Sequence, residues 1–167
     1  LPMPLVSLGT GSGQHGNVAN ATATWLQAGG SGIDTAYIYN DEASIAAGVK
    51  AVGASWGSIF LTTKIPCTTT QAAKADVASN LRSLGVGRVD LLLIHSPRPW
   101  RDGTSRCSVA ETWAVLEEAQ AAGQARSIGV SNFRIADLEM LAATAKVRPA
   151  VNQCSHSVSY HDDATAA

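Results

Sequence analysis

Residues 89–97 read VDLLLIHSP. From Val89 to Ile94 only Asp90 is polar, which is the pattern of a strand buried on both faces, as strands are in a parallel sheet covered by helices. The run stops at His95. An imidazole directly beyond a buried run is costly unless its polar atoms find partners, so the fold turns on what stands at the tip of each of the other strands.

Five further runs have the same character: LVSLGT at 5–10, GIDTA at 32–36, IFLTTK at 59–64, SIGVSN at 127–132 and PAVNQ at 149–153. Helical spacing fills the intervals. Val18, Thr22 and Trp25 make one stripe, Ile45, Val49 and Val52 a second, and Val77, Leu81 and Leu84 a third. Val109, Trp113 and Leu116 make a fourth, and Ile135, Leu138 and Leu141 a fifth. Ser108 and Glu111 have the form of a capping box, and Gly29, Gly85 and Gly123 fall where helices should stop. Strands alternating with amphipathic helices predict parallel βαβ units with right-handed crossovers.

Two architectures satisfy that pattern, an open doubly wound sheet and a (β/α)8 barrel. The first has GSGQHG at 11–16, a G-x-G-x-x-G match between a strand and a helix, with Asp34 about twenty residues on, the spacing of a Rossmann dinucleotide fingerprint. The second accounts for more residues. Parallel strands of a barrel deliver their functional groups at their C-terminal ends, and here those ends hold Thr10, Asp34, Lys64, His95, Ser131 with Asn132, and Gln153. Each has a bland explanation alone: Asp34 and Asn132 as helix caps, Lys64 as a snorkelling surface chain, His95 as a core imidazole. Convergence on one rim replaces several coincidences.

The chain has 167 residues, 46% hydrophobic and 15% charged, the balance of one folded α/β domain. Twelve basic against 13 acidic residues leave a formal charge of -1 and no basic footprint for nucleic acid or an anionic membrane. No signal peptide or membrane span is expected. Cys67, Cys107 and Cys154 are odd in number and widely spaced, which speaks against disulfides and a zinc site and for a reducing, cytoplasmic setting.

Taken in order, LVSLGTG, GIDTAYIYNDE, FLTTK, VDLLLIHSP, ARSIGVSNF and PAVNQ resemble the aldo-keto reductase superfamily over essentially the whole chain. The resemblance implies a (β/α)8 TIM barrel that binds NADP(H) without a Rossmann fold and reduces aldehydes or ketones. It implies catalytic roles for Asp34, Tyr39, Lys64 and His95. It implies nicotinamide contacts from Ser131, Asn132 and Gln153, and cofactor-lining backbone at Gly9, Thr10 and Gly11, beside Asp34. Carbonyl reduction needs a hydride donor and a proton donor at the oxygen. Tyr39 is the expected acid, with its pKa drawn down by Lys64, and Asp34 is expected to keep that lysine charged. Tyr37 is expected to pack.

Gly11 and Ser96 stand where the family commonly has tryptophans, with Trp100 either a substitute from the following loop or a packing residue. Asn40-Asp41-Glu42 alters the segment after the tyrosine, with an expected effect on loop capping. The length is short of the ~250 residues of a typical barrel, so residues 1–167 are expected to form one barrel domain lacking its last two βα units. That chain is read as a fragment whose tail, at Asp162 and Asp163, starts an unfinished helix. If complete, it is expected to self-associate through open edges, be marginally stable and be poorly active. The alternative function is a non-catalytic cofactor-binding or interaction module on the same scaffold.

Overall fold

A computed structural model describes residues 2–11, 17–99 and 106–157. The rest of the glycine fingerprint (12–16), Trp100, Asp162 and Asp163 lie outside the described residues. Six strands lie side by side in chain order, every neighbouring pair parallel. They are β1 (Leu8–Gly9), β2 (Gly32–Asp34), β3 (Phe60–Ile65), β4 (Val89–Ile94), β5 (Ala125–Ser131) and β6 (Asn152–Gln153). Between them run α1 (Val18–Gln27), α2 (Glu42–Ala51), α3 (Thr70–Leu84), α4 (Val109–Ala121) and α5 (Ile135–Ala142). The sheet curls into part of a βα barrel with its helices outside, the barrel alternative and not the doubly wound one.

Strand alternation divides the residues between two environments. Ile33, Leu61, Ile65, Leu92, Ile94, Ile128 and Val130 face the helices and join Val49, Val77, Leu81, Trp113 and Leu116 in the main core. The opposite face turns into the barrel, where Phe60, Leu91 and Leu93 form a small cluster with Val151 against it. By the same alternation Lys64 follows Phe60 and Thr62, and His95 follows Leu91 and Leu93. At Gly129 a Cβ would sit 2.6 Å from the carbonyl oxygen of Val151 and 2.8 Å from Cδ2 of Leu93, so only glycine lets the last strand close in.

The predicted stripes hold for α1, α3 and α4; in α2 Ile45 and Val49 are buried, but Val52 is the C-cap and only partly buried, and Ile135 at the head of α5 is 48% exposed. Gly29, Gly85 and Gly123 take positive φ, as stop signals require. Ser108 caps α4 by accepting from the Glu111 backbone N–H at 3.3 Å. Glu111 does not complete the box; its carboxylate accepts instead from the backbone N–H of Thr70 at 3.1 Å. The outer strands β1 and β6 are shorter than predicted because each pairs on one side only. Among the described residues no helix is long and apolar enough to cross a membrane.

The expectation of unpaired cysteines is corrected: Cys67 and Cys107 form a disulfide, with their Cα atoms 5.0 Å apart. They lie 40 residues apart in sequence, which hid the pairing. Because β3 and β4 are neighbours, the loops that follow them are neighbours too, and the bridge ties those loops together. Cys154 is free and exposed. Closing a loop of that size restricts the unfolded chain, so Cys107→Ser is expected to lower stability by about 4 kcal/mol. Urea unfolding of the variant and the oxidised parent measures the difference.

Candidate active site

Lys64 is 3% exposed, and an ammonium so placed needs partners of opposite polarity. It has two. Nζ donates to Asp34 Oδ1, as an ion pair, and to the carbonyl oxygen of Thr35 at 3.0 Å. The register that sets Asp34 beside Thr62 at the adjoining ends of β2 and β3 makes the contact. From behind, the buried Asn80 of α3 donates to Thr63 Oγ1 at 3.0 Å and reaches the Lys64 carbonyl oxygen at 3.4 Å. Lys64 is therefore held at both its head and its backbone.

Tyr39 ends a 3-10 turn, Tyr37–Tyr39, that begins just beyond β2. The turn closes through Tyr39 N–H to the Ala36 carbonyl at 2.9 Å, and Asn40 follows in the left-handed region at φ 53°. Thr35 Oγ1 donates to Asp41 Oδ1 at 2.7 Å across the base of this turn. The turn carries the phenol ring edge-on to His95, with centroids 5.6 Å apart and planes at 84°. Lys64 Nζ lies 5.7 Å from the Tyr39 centroid. The Tyr37 pKa is raised, first by the charge of Asp76 of α3, and it is Tyr39, not Tyr37, that meets His95 and Lys64.

The electrostatics correct one expectation. The pKa of Tyr39 is raised above the ordinary phenol value, first by burial and then by the negative charges of Asp34 and Asp41. Asp34 already neutralises Lys64, and Asp41 adds a second carboxylate, so the lysine does not draw the phenol down. His95 moves the other way. Burial first, and the Lys64 charge second, lower its pKa to about 4, against a smaller opposing effect of Asp34. At neutral pH the site holds a protonated phenol beside a neutral imidazole.

Ser131, Asn132 and Gln153 form a second cluster on the same rim. Ser131 Oγ donates to the Gln153 carbonyl at 2.8 Å. Asn132, at φ 60°, donates from its backbone N–H to that carbonyl at 3.0 Å and from Nδ2 to the His95 carbonyl at 2.9 Å. Gln153 Nε2 donates to Asp34 Oδ2 and joins the two clusters. The hydroxyl and two amides provide donors and acceptors of the kind a carboxamide needs. Thr10 N–H donates to the Asp34 carbonyl at 3.0 Å, so β1 ends at the same place. Gly11 lies directly against the phenol of Tyr39: a Cβ there would be 2.7 Å from Tyr39 Oη. Gly9, the third expected backbone position, pairs with Asp34.

Every expected site residue thus reaches one rim. Thr35, Asp41 and Asn80 were missed as supports for it. Thr35 and Asp41 lie inside the quoted GIDTAYIYNDE, where a polar residue on each side of the tyrosine was the available signal. Asp41 was expected to affect loop capping, but its side chain makes no cap bond to α2 and serves Thr35 instead. Asn80 gave the signal of an amide on the apolar side of a helix.

The half-open parallel βα barrel thus carries Asp34, Tyr39, Lys64 and His95 at the C-terminal rim of its strands. The chain belongs to the aldo/keto reductase family, whose model matches residues 6–166. It is 32% identical to the NAD/NADP-dependent indole-3-acetaldehyde reductase of Schizosaccharomyces pombe, over 92% of this chain and 55% of that protein. It is 36% identical to the D-galacturonate reductase of Hypocrea jecorina, over 92% of this chain and 56% of that one. Among solved structures, an aldo/keto reductase from Brucella melitensis aligns with a TM-score of 0.82 at 35% identity, over 92% of this chain and 59% of that one. A Bombyx mori aldo-keto reductase in complex with NADP aligns with a TM-score of 0.82 at 31% identity, over 92% and 55% respectively. The chain therefore spans a little over half the length of these relatives.

Thr35→Val removes the donor to a buried carboxylate at constant shape, and is expected to cost about 1–3 kcal/mol in urea unfolding. For His95 the unfolded imidazole takes up its proton near 6.5, whereas the folded one refuses it until about 4. The unfolded state then binds more protons in that window, so stability present above 6.5 declines as pH falls toward 4. Denaturation midpoints against pH should show this decline in the parent and a flatter profile in His95→Gln.

Proposed function

We propose that this chain carries the catalytic rim of an NADP(H)-dependent reductase that converts an aldehyde or ketone to the alcohol. The observation that carries the reading is the buried Lys64 ammonium, fixed by Asp34 and the Thr35 carbonyl, beneath a phenol that stands edge-on to a neutral imidazole. A structural ion pair alone accounts for the first half of that arrangement, and not for the two rings gathered over it.

In this reading a bound reduced nicotinamide supplies the hydride to the carbonyl carbon. Tyr39 Oη gives its proton to the carbonyl oxygen as negative charge grows there, so a C–H and an O–H bond form as the carbonyl π bond breaks. The raised pKa keeps this proton on the phenol until the substrate oxygen becomes the stronger base. Lys64 then stabilises the phenolate left behind, and Asp34 prevents the lysine from turning away. Neutral His95 donates an N–H to the same oxygen and orients the carbonyl, which combines positioning with electrostatic stabilisation. Ser131, Asn132 and Gln153 hold the carboxamide, and the backbone from Gly9 to Gly11 lines the cofactor beside Tyr39.

The domain is read as residues 1–167, the first six βα units of a barrel whose closure requires two more, with self-association through β1 and β6 if the chain is complete. A small carbonyl compound is the partner, and neither nucleic acid nor membrane is. A cytoplasmic location is in tension with the Cys67–Cys107 bridge, because disulfides persist mainly in oxidising compartments. Counting free thiols in protein trapped directly from cells decides it, with reduced Cys67 and Cys107 supporting the cytoplasm.

Tyr39→Phe tests the chemistry. Consumption of NADPH with a generic aldehyde is expected to fall by about a hundredfold or more, while nucleotide binding followed by fluorescence stays near the parent level. Turnover at the parent rate in the variant would remove Tyr39 as the acid. Tight NADPH binding by the parent with no consumption would favour a binding module.

A further inference from the structure

Gln153 ends β6, an outer strand, yet its side chain crosses the barrel interior to Asp34, 119 residues earlier. There the labour divides: Lys64 holds Oδ1 and the Gln153 amide holds Oδ2. An ion pair to one oxygen leaves a carboxylate free to rotate about its own axis and to accept other donors. Holding both oxygens removes that freedom, and a hydrogen bond to an ionised group is among the stronger ones.

The arm that carries the amide is itself fixed. The Gln153 carbonyl accepts from Ser131 Oγ at 2.8 Å and from the Asn132 backbone at 3.0 Å, while Asn132 Nδ2 reaches the His95 carbonyl at 2.9 Å. A continuous path of hydrogen bonds therefore runs from the strand end bearing His95, through Asn132 and Gln153, to Asp34 and Lys64.

We infer that Gln153 is a positioning residue that clamps Asp34, and through it Lys64, by donating its side-chain amide from β6 to Oδ2. A primary amide keeps a second N–H and a carbonyl oxygen, so the clamp leaves Gln153 with groups to offer a ligand.

The test is nuclear magnetic resonance of the Gln153 side-chain amide in the 15N-labelled parent, assigned by its loss in Gln153→Met or, if that variant does not fold, by through-bond correlation in the parent. One of the two geminal amide protons is expected to exchange with water more slowly than the other, and to lose that protection in Asp34→Asn. Equal exchange of the two protons in the parent, or protection that survives Asp34→Asn, would overturn the clamp.

Discussion

The structure depends on one charge in an unusual place. An ammonium at the inner end of β3 has lost its water, and the loss is offset only by a carboxylate from β2 and a carbonyl oxygen one residue beyond it. That requirement fixes the register of β2 on β3 and the starting point of the turn that carries Tyr39. A shift by one residue would turn Lys64 toward the helices, into the apolar core of Ile33, Leu61 and Ile65. The same contact therefore serves the fold and the site.

The two rings over the lysine are tuned in opposite directions by one environment. Burial disfavours charge on both, so the phenol keeps its proton and the imidazole declines a second one. Lys64 adds to the effect on His95, whereas the shift of Tyr39 follows burial first and then Asp34 and Asp41. The result is two neutral hydrogen-bonding groups beside a fixed positive charge, an arrangement suited to stabilising a negative oxygen that forms during a reaction and not one already present. The residues assigned to the cofactor are meanwhile engaged with one another, which preserves their geometry in the free chain.

The rim is held by more than its own hydrogen bonds. The Cys67–Cys107 bridge joins the loops after β3 and β4, immediately beyond the strands that deliver Lys64 and His95. Thr68 and Thr112 reinforce the same junction, with the Thr68 backbone N–H donating to Thr112 Oγ1 at 3.0 Å. The loops on the opposite, outer-strand side have no such link among the described residues, and there Gln153 reaches inward from β6 instead. The chain spans a little over half the length of its relatives.

Much of this was legible in one dimension. Unbroken apolar runs such as LLLI at 91–94 announce strands buried on both faces, and a polar residue at each tip announces a shared rim, because hydrophobic period and the position of a charge are properties of the chain itself. Asp34, Lys64, His95, Ser131, Asn132 and Gln153 could be gathered on that basis before any coordinates, and Tyr39 joined them only through the family resemblance. The sign of the Tyr39 shift could not, since it depends on burial and on which neighbouring charges stand nearest in space. Nor could the disulfide, the Thr35–Asp41 bond or the reach of Gln153 to Asp34, which join residues with no periodic relation. Sequence determined which chemistry stands at each strand end; only the curvature of the sheet decided which of those ends touch, because contact across a barrel depends on how strands are arranged around it and not on their spacing along the chain.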